Sequence, residues 1–363
     1  MAISLPSFAK INLGLRIGPL REDGFHELRT VYQTIALHDI VSVSVERGSG
    51  IEIRCDDPGV PTDSTNTCFR IVERAMQTLK ARGRVVIEID KRLPVQGGLG
   101  GASGNAITAL LALEQALRKK LPAAERLRIG AEVGSDIPLF LIGGTVLGVG
   151  RGEEVYPLPD LPAISCVIAL PEVAISTSRA FADWDLACGA GAPAREPVEH
   201  SSARTAEGAR PHIAGSPHMA AGNPSSMADP KLTHSTHSDR MLKFSREISA
   251  WLNAVPITGG RRSGVSARGG GRAENPLLDL VRTGIENDFE RVVFPKYPEL
   301  LEVKRVLERT GARYASLSGS GSAIYGLFDS QQKAAAAAKK LIRQGTRALV
   351  TSTLTRRQYW KKL

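Results

Sequence analysis

The sequence predicts an α+β protein with two folded parts, and three observations carry that expectation. Apolar and polar residues alternate with the period of a strand in several stretches between residues 9 and 53. From residue 66 the period lengthens to that of a helix, so that strands precede helices up to about residue 160. Between about 186 and 273 the periodicity fails, and it returns from Asn275 onward.

Taken in order, residues 9–17, 41–45 and 51–53 read as strands. Residues 66–80 read as a helix, with Phe69, Val72, Ala75, Met76 and Leu79 on one stripe. A strand at 84–90, a glycine-rich loop, and a helix to about Leu117 follow. A second helix from about Pro122 runs into Gly134-Ser135-Asp136-Ile137-Pro138, and strands follow near 145–150 and 164–170. Residues 187–239 are rich in Ala, Gly, Pro, Ser and Arg and cannot bury enough apolar surface to offset ordering, which marks a disordered insertion. Within the wider segment only 241–255 has the pattern of a helix. His200, His212, His218, His234 and His237 fall in or at the end of this stretch, too irregularly spaced to read as a metal scaffold. Beyond it come helices over 276–289 and 298–310, and strands over 314–317 and 323–328. A helix over 331–343 and a last strand over 348–354 complete the pattern.

Composition narrows the function. The 363 residues suffice for two modest cores, and the 42% hydrophobic content fits a globular protein without a membrane partner. No apolar run approaches the ~20 residues of a membrane span. Residues 1–10 lack the basic start and apolar centre of a secretory signal. Cys55, Cys68, Cys166 and Cys188 are scattered, so a reduced, cytoplasmic setting is expected. The net charge of +10 raises nucleic-acid binding. The basic residues are spread, however, and the 5% of aromatics do not interleave with them as a base-stacking surface would. Polyanionic small molecules are the more economical partners.

Three loops converge on phosphate chemistry. Residues 94–106, Pro-Val-Gln-Gly-Gly-Leu-Gly-Gly-Ala-Ser-Gly-Asn-Ala, join a strand to a helix with five glycines. Such a loop lets the backbone approach a ligand, and the helix start favours an anion. It follows neither the Walker nor the dinucleotide spacing, and a glycine-rich turn without ligand has the same look. Gly134–Pro138 places the carboxylate of Asp136 before a proline, which is also how a helix cap reads. Ser318–Ser322 joins two strands through small residues, as an ordinary hairpin also does. Near the start, Lys10 and Asn12 interrupt an apolar strand, where a lysine would by default face solvent. His26, after Asp23-Gly24-Phe25, is by itself as consistent with a structural histidine.

Together these segments resemble the GHMP kinase superfamily, whose three motifs occur here in order over 6–15, 94–106 and 318–322. Within it the chain is most similar to the branch that phosphorylates a cytidine-diphosphate-linked methylerythritol in non-mevalonate isoprenoid synthesis. The marks are Ala9-Lys10-Ile11-Asn12-Leu13, Asp23-Gly24-Phe25-His26-Glu27-Leu28, Gly134–Pro138 and Glu286-Asn287-Asp288-Phe289-Glu290. The resemblance implies a two-domain GHMP kinase-like fold. A ribosomal-protein-like α/β domain would span 1–160. A ferredoxin-like α+β domain would span 161–354, interrupted by the insertion at about 186–273. It implies ATP and Mg²⁺ as cofactors, and transfer of the γ-phosphoryl to the C2 hydroxyl of the polyol. Lys10 and Asp136 would be the catalytic pair. Pro94, Gly97, Gly98, Leu99, Gly100, Gly101, Ala102, Ser103 and Gly104 would hold the nucleotide, with the Ser103 hydroxyl near the metal. Asn12, Phe25, His26, Thr177 and Phe181 would bind the substrate, Phe25 by stacking on cytosine and His26 at its polar edge. The chain departs from the family at Gln96, where glycine is usual, and at Gly104, where serine is usual. The lost hydroxyl at 104 points to weaker nucleotide binding. A monomer or homodimer without nucleic-acid or membrane partners is expected. The competing expectations are another GHMP small-molecule kinase, of homoserine or mevalonate type, and a non-catalytic basic nucleic-acid-binding protein.

Overall fold

Two long strands organise the first half of the chain in the computed structural model, which describes residues 2–95, 97–188 and 286–363. β1 (Ile3–Leu20) and β2 (His26–Glu46) form an antiparallel pair. β2 is long enough to carry further partners end to end on its other edge: β4 (Arg84–Asp90) along 40–46 and β5 (Thr145–Val149) along 30–33. β3 (Gly50–Arg54) extends the sheet parallel to β4, and β6 (Glu154–Pro157) extends it beyond β5. The parallel β3–β4 pair requires a crossover, which α1 (Thr67–Thr78) supplies. Asn66 starts that helix by accepting a 2.8 Å hydrogen bond from the Cys68 amide.

α2 (Gly101–Leu117) lies between this sheet and α1, and every residue from Gly104 to Glu114 is buried. A helix apolar on all sides is a core helix, which explains why its sequence shows no amphipathic stripe. α3 (Ala123–Val133) and the short α4 (Leu139–Ile142) close the same core.

The second sheet has the order β10–β7–β9–β8, all antiparallel. Its strands are β7 (Ser165–Leu170), β8 (Tyr314–Leu317), β9 (Ile324–Phe328) and β10 (Arg347–Ser352). With strands numbered within this half the order is 4-1-3-2, the ferredoxin-like arrangement expected. One face carries α5 (Thr177–Ala187), α6 (Glu290–Lys296), α7 (Pro298–Arg309) and α8 (Gln331–Arg343). α9 (Arg356–Lys361) returns to the first sheet, where the Tyr359 hydroxyl donates to the Phe140 carbonyl at 2.7 Å.

The two sheets share a third core in which Ala9, Ile11 and Leu13 of β1 meet Ile168, Tyr325 and Leu327. β1 is therefore covered on both sides from Ser7 to Gly18. That is the fact that places the site: strand side chains alternate faces, so Lys10 and Asn12 project opposite to Ile11 and are buried all the same. A buried Arg16–Asp288 pair at 2.9 Å fastens β1 to the entry of α6, and Glu286 joins it at 3.1 Å. Burial opposes the Arg16 charge, but Asp288 and Glu286 outweigh it and raise the guanidinium pKa.

The elements differ from expectation in three places. Leu186 and Ala187 belong to α5, so the helical pattern persists past the expected start of the insertion. Helix does not cover 286–289; Asn287 bridges to Leu15 there, and α6 begins at Glu290. β6, α5 and α9 carry too few apolar positions to have been read. The rest of the expected insertion, its five histidines, the patch at 241–255 and residues 276–285 lie outside the described residues, as does Gln96. Among the described residues, no helix is long and apolar enough to cross a membrane.

Candidate active site

The site forms where β1, the glycine-rich loop and the Ser318–Ser322 loop meet. Lys10 is 3% exposed, and its Nζ donates to Asn12 Oδ1 at 2.6 Å and lies 3.4 Å from Asp136 Oδ2. The lysine does not reach solvent because the glycine-rich loop at Gly100 and the ring of Tyr32 close against its own face of the strand. Asn12 Nδ2 donates to Thr30 Oγ1 at 2.7 Å, which in turn donates to the Gly14 carbonyl at 2.8 Å, so the amide presents its oxygen to Lys10. Asp136 sits in the turn between α3 and α4 and caps neither helix. Its Oδ1 accepts a 2.9 Å hydrogen bond from the Tyr32 hydroxyl. Burial first, and then the charge of Asp136, push the Tyr32 pKa well up, so the phenol stays a donor at ordinary pH. The Asp136 side chain is 36% exposed, against 4% for Lys10. A half-open carboxylate between a phenol and an ammonium can take a proton from a bound hydroxyl.

The glycine-rich loop reaches this pair because two of its residues lack a side chain. Gly100 has φ +68° and starts α2, and a methyl group there would stand 2.9 Å from Lys10 Cγ. Gly98 has φ +72°, and a methyl group there would run into the Ser318 carbonyl. The Ser318 hydroxyl donates to the Gly98 carbonyl at 2.9 Å, and the Ala323 amide to the Gly97 carbonyl at 3.2 Å. Asn287 holds the other side by donating to the Leu317 and Gly319 carbonyls at 2.9 and 2.7 Å. Ser318–Ser322 is thus a docked loop rather than a free hairpin turn. Among the described residues no side chain caps α2, and a helix start of this kind favours an anion.

Two cavities adjoin at this loop, sharing Gly98, Gly100 and Ser103. The first, of about 610 Å³, contains Lys10, Asn12 and Asp136 and extends to Phe25, His26, Thr177 and Phe181. His26 Nδ1 lies 3.0 Å from the Gly18 carbonyl, and its ring stacks on Phe181 with centroids 5.3 Å apart and planes 4° from parallel. Phe289 meets the edge of Phe181 at 4.9 Å. Phe25 stands 51% exposed at the turn between β1 and β2, with the Arg151 guanidinium 4.9 Å from its ring centre. The Thr177 hydroxyl is 2.9 Å from that of Ser320, linking α5 to the Ser-Gly loop.

The second cavity, of about 360 Å³, lies on the other side of the glycine-rich loop. Pro94, Gly97, Leu99, Gly101 and Ala102 line it together with Val60, Asn66, Thr67 and Lys91. Buried Asp39 braces the start of the loop, accepting from Lys91 Nζ at 2.8 Å, the Arg92 and Leu93 amides at 2.7 Å each, and Asn105 Nδ2 at 3.0 Å. Gly104 lines neither cavity. A methyl group on it would stand 2.8 Å from the Phe8 carbonyl, so it faces β1 and not a ligand. A side chain at 104, where a serine hydroxyl was expected near the phosphates, would point at β1.

All the other sequence-derived candidates thus border one cavity or the other, and the structure adds Tyr32, Arg151, Asp185, Asn66, Thr67 and Lys91. Tyr32 falls outside every segment that the sequence pattern marked as a strand. Asp185 had no neighbour in sequence that marked it.

Comparison with known proteins agrees with this arrangement. Residues 66–144 match the GHMP kinases N terminal domain, and residues 274–347 match the GHMP kinases C terminal domain. The chain is 33% identical over 324 residues to a 4-diphosphocytidyl-2-C-methyl-D-erythritol kinase of Solibacter usitatus, covering 89% of this chain and 80% of that one. It is 32% identical to the Acaryochloris marina enzyme of the same name, covering 94% and 91%. Among solved structures, a 4-(cytidine 5'-diphospho)-2C-methyl-D-erythritol kinase superposes with TM-score 0.63 at 24% identity, covering 97% and 99%. A homoserine kinase from Cytophaga hutchinsonii superposes with TM-score 0.64 at 19% identity, covering 98% and 95%, which shows the shared fold alone. On its motifs, its two-sheet architecture and its likeness over nearly the whole length of these relatives, the chain belongs to the GHMP kinases, in the 4-diphosphocytidyl-2-C-methyl-D-erythritol kinase family.

Proposed function

We propose that this chain transfers the γ-phosphoryl of ATP to the C2 hydroxyl of 4-diphosphocytidyl-2-C-methyl-D-erythritol. The observation that carries the reading is the meeting of Lys10 and Asp136, 3.4 Å apart, in a cavity whose far end is the His26–Phe181 stack. The nucleotide occupies the second cavity, with its phosphates over Gly98–Ser103 at the start of α2. The polyol lies by Asn12, and the cytosine reaches Phe25, His26, Thr177 and Phe181.

In the transfer Asp136 accepts the proton of the C2 hydroxyl as that oxygen bonds to the γ-phosphorus. The bond from that phosphorus to the β–γ bridging oxygen breaks, and ADP leaves. Lys10 pairs with Asp136 at 3.4 Å and faces the charge that develops on the transferred group. Tyr32 fixes the carboxylate so that its second oxygen is the one presented. Positioning and charge neutralisation carry most of the rate in such reactions.

Magnesium fits the donor set. The Ser103 hydroxyl, in the first turn of α2 and bordering both cavities, would hold it together with the phosphates. Magnesium asks for few protein ligands where phosphates are present, and it would neutralise phosphate charge. We read the chain as two units, 1–160 and 161–354, with the site in the seam between them. A cytoplasmic location fits the four free cysteines, and we read the protein as a monomer or homodimer.

The homoserine- and mevalonate-type alternatives leave the aromatic end of the first cavity without a ligand. ATP turnover with the CDP-linked polyol, against the same polyol without CDP, separates the readings. We expect kcat/KM to fall at least ~10²-fold without CDP, since remote binding energy is used at the reacting centre. Equal turnover of both would remove the cytidine pocket.

A further inference from the structure

The geometry points to Asp185 as the residue that selects the base, by accepting a proton from an exocyclic amino group. This rests on the reading of the first cavity as the pocket of a cytidine diphosphate group. Asp185 lies on α5 four residues after Phe181, hence on the same face of the helix. It lines the cavity with Oδ1 3.0 Å from His26 Nε2.

The donor and acceptor pattern at this spot is one-sided. The Gly18 carbonyl beside His26 Nδ1 can only accept, so Nδ1 carries the proton. His26 Nε2 is buried and makes no hydrogen bond among the described residues although Asp185 Oδ1 lies 3.0 Å away, and that carboxylate can only accept. An acceptor-only carboxylate and a ring nitrogen left unpaired among the described residues therefore share one point of the wall, beside the ring of Phe181. A ligand arriving there must bring hydrogen. Cytosine does so with the two protons of its N4 amino group, whereas uracil places a carbonyl oxygen at the same ring position. A carbonyl oxygen there would face the Asp185 carboxylate and be repelled.

The test is kcat/KM for the CDP-linked polyol and for its UDP counterpart, in the wild type, Asp185→Asn and Asp185→Ala. A closed site built to read a hydrogen-bond donor can discriminate by ~10⁴-fold or more, but Asp185 is one-third exposed and water softens the contrast. We expect the wild type to prefer CDP by at least ~10²-fold. Asparagine can turn either end of its amide to the base, so Asp185→Asn should cut that ratio at least ~10-fold. The loss should fall on KM, with kcat at saturating CDP substrate within ~3-fold of wild type. Asp185→Ala should cut the ratio likewise. A ratio unchanged in both variants overturns the assignment, even if overall efficiency drops. A wild type that handles the polyol equally with and without its nucleotide overturns the pocket reading itself, and that arm is read without the variants.

Discussion

Asp136→Asn is expected to lower turnover by at least ~10²-fold while leaving nucleotide affinity nearly intact. The amide keeps the shape of the carboxylate and can still accept from Tyr32, whose hydroxyl stands 2.9 Å away. What it loses is the negative charge facing Lys10 and the capacity to accept the substrate proton. Asp136 borders the first cavity only, so the second, where the nucleotide is placed, is untouched. Steady-state kcat, with ATP dissociation constants from titration, checks the outcome. Unchanged turnover would take Asp136 out of the reaction.

Gly98→Ala should abolish measurable activity and weaken the protein as well. The backbone there has φ +72°, which an alanine adopts only with strain, on the order of 1–3 kcal/mol. The added methyl would also collide with the Ser318 carbonyl and stand 3.0 Å from that of Gly321, both backbone atoms without a rotamer to yield. The loops would have to part, breaking the bonds from Ser318 to Gly98 and from Ala323 to Gly97. Those contacts hold the glycine-rich loop over Lys10, so on the proposed reading ATP affinity and turnover should fall together. Thermal unfolding and ATP titration measure the two losses. A variant with wild-type values for both would show that the loops are not coupled.

The contrast between these residues explains what could be read in advance. Glycines clustered between a strand and a helix announce a close backbone approach, and Lys10 and Asn12 stand out inside an apolar strand. The resemblance to a family then supplied the partner for Lys10, which no local pattern gives, since Asp136 reads equally well as a helix cap. The two sheets were legible from alternation. The lengths of β1 and β2 were not, because bulges between Phe8 and Ala9 and between Asn12 and Gly14 break the alternation that would mark one strand. Tyr32, Asp39, Arg151 and Asp185 were missed for one reason. Each takes its meaning from a partner far away in the chain, such as Asp136 for Tyr32 or His26 for Asp185. Gly104 failed in the opposite sense. Its place in a phosphate loop suggested a ligand contact, but the turn of α2 points it at β1.

The most direct test of the account is a ³¹P spectrum of the protein incubated with ATP, magnesium and the CDP-linked methylerythritol. A new phosphomonoester on the C2 oxygen, formed one for one with ADP and absent when the polyol is withheld, is the predicted result. ATP consumed to inorganic phosphate with no ester formed, or not consumed at all by well-folded protein, would contradict the placing of Lys10 and Asp136 at the point of transfer.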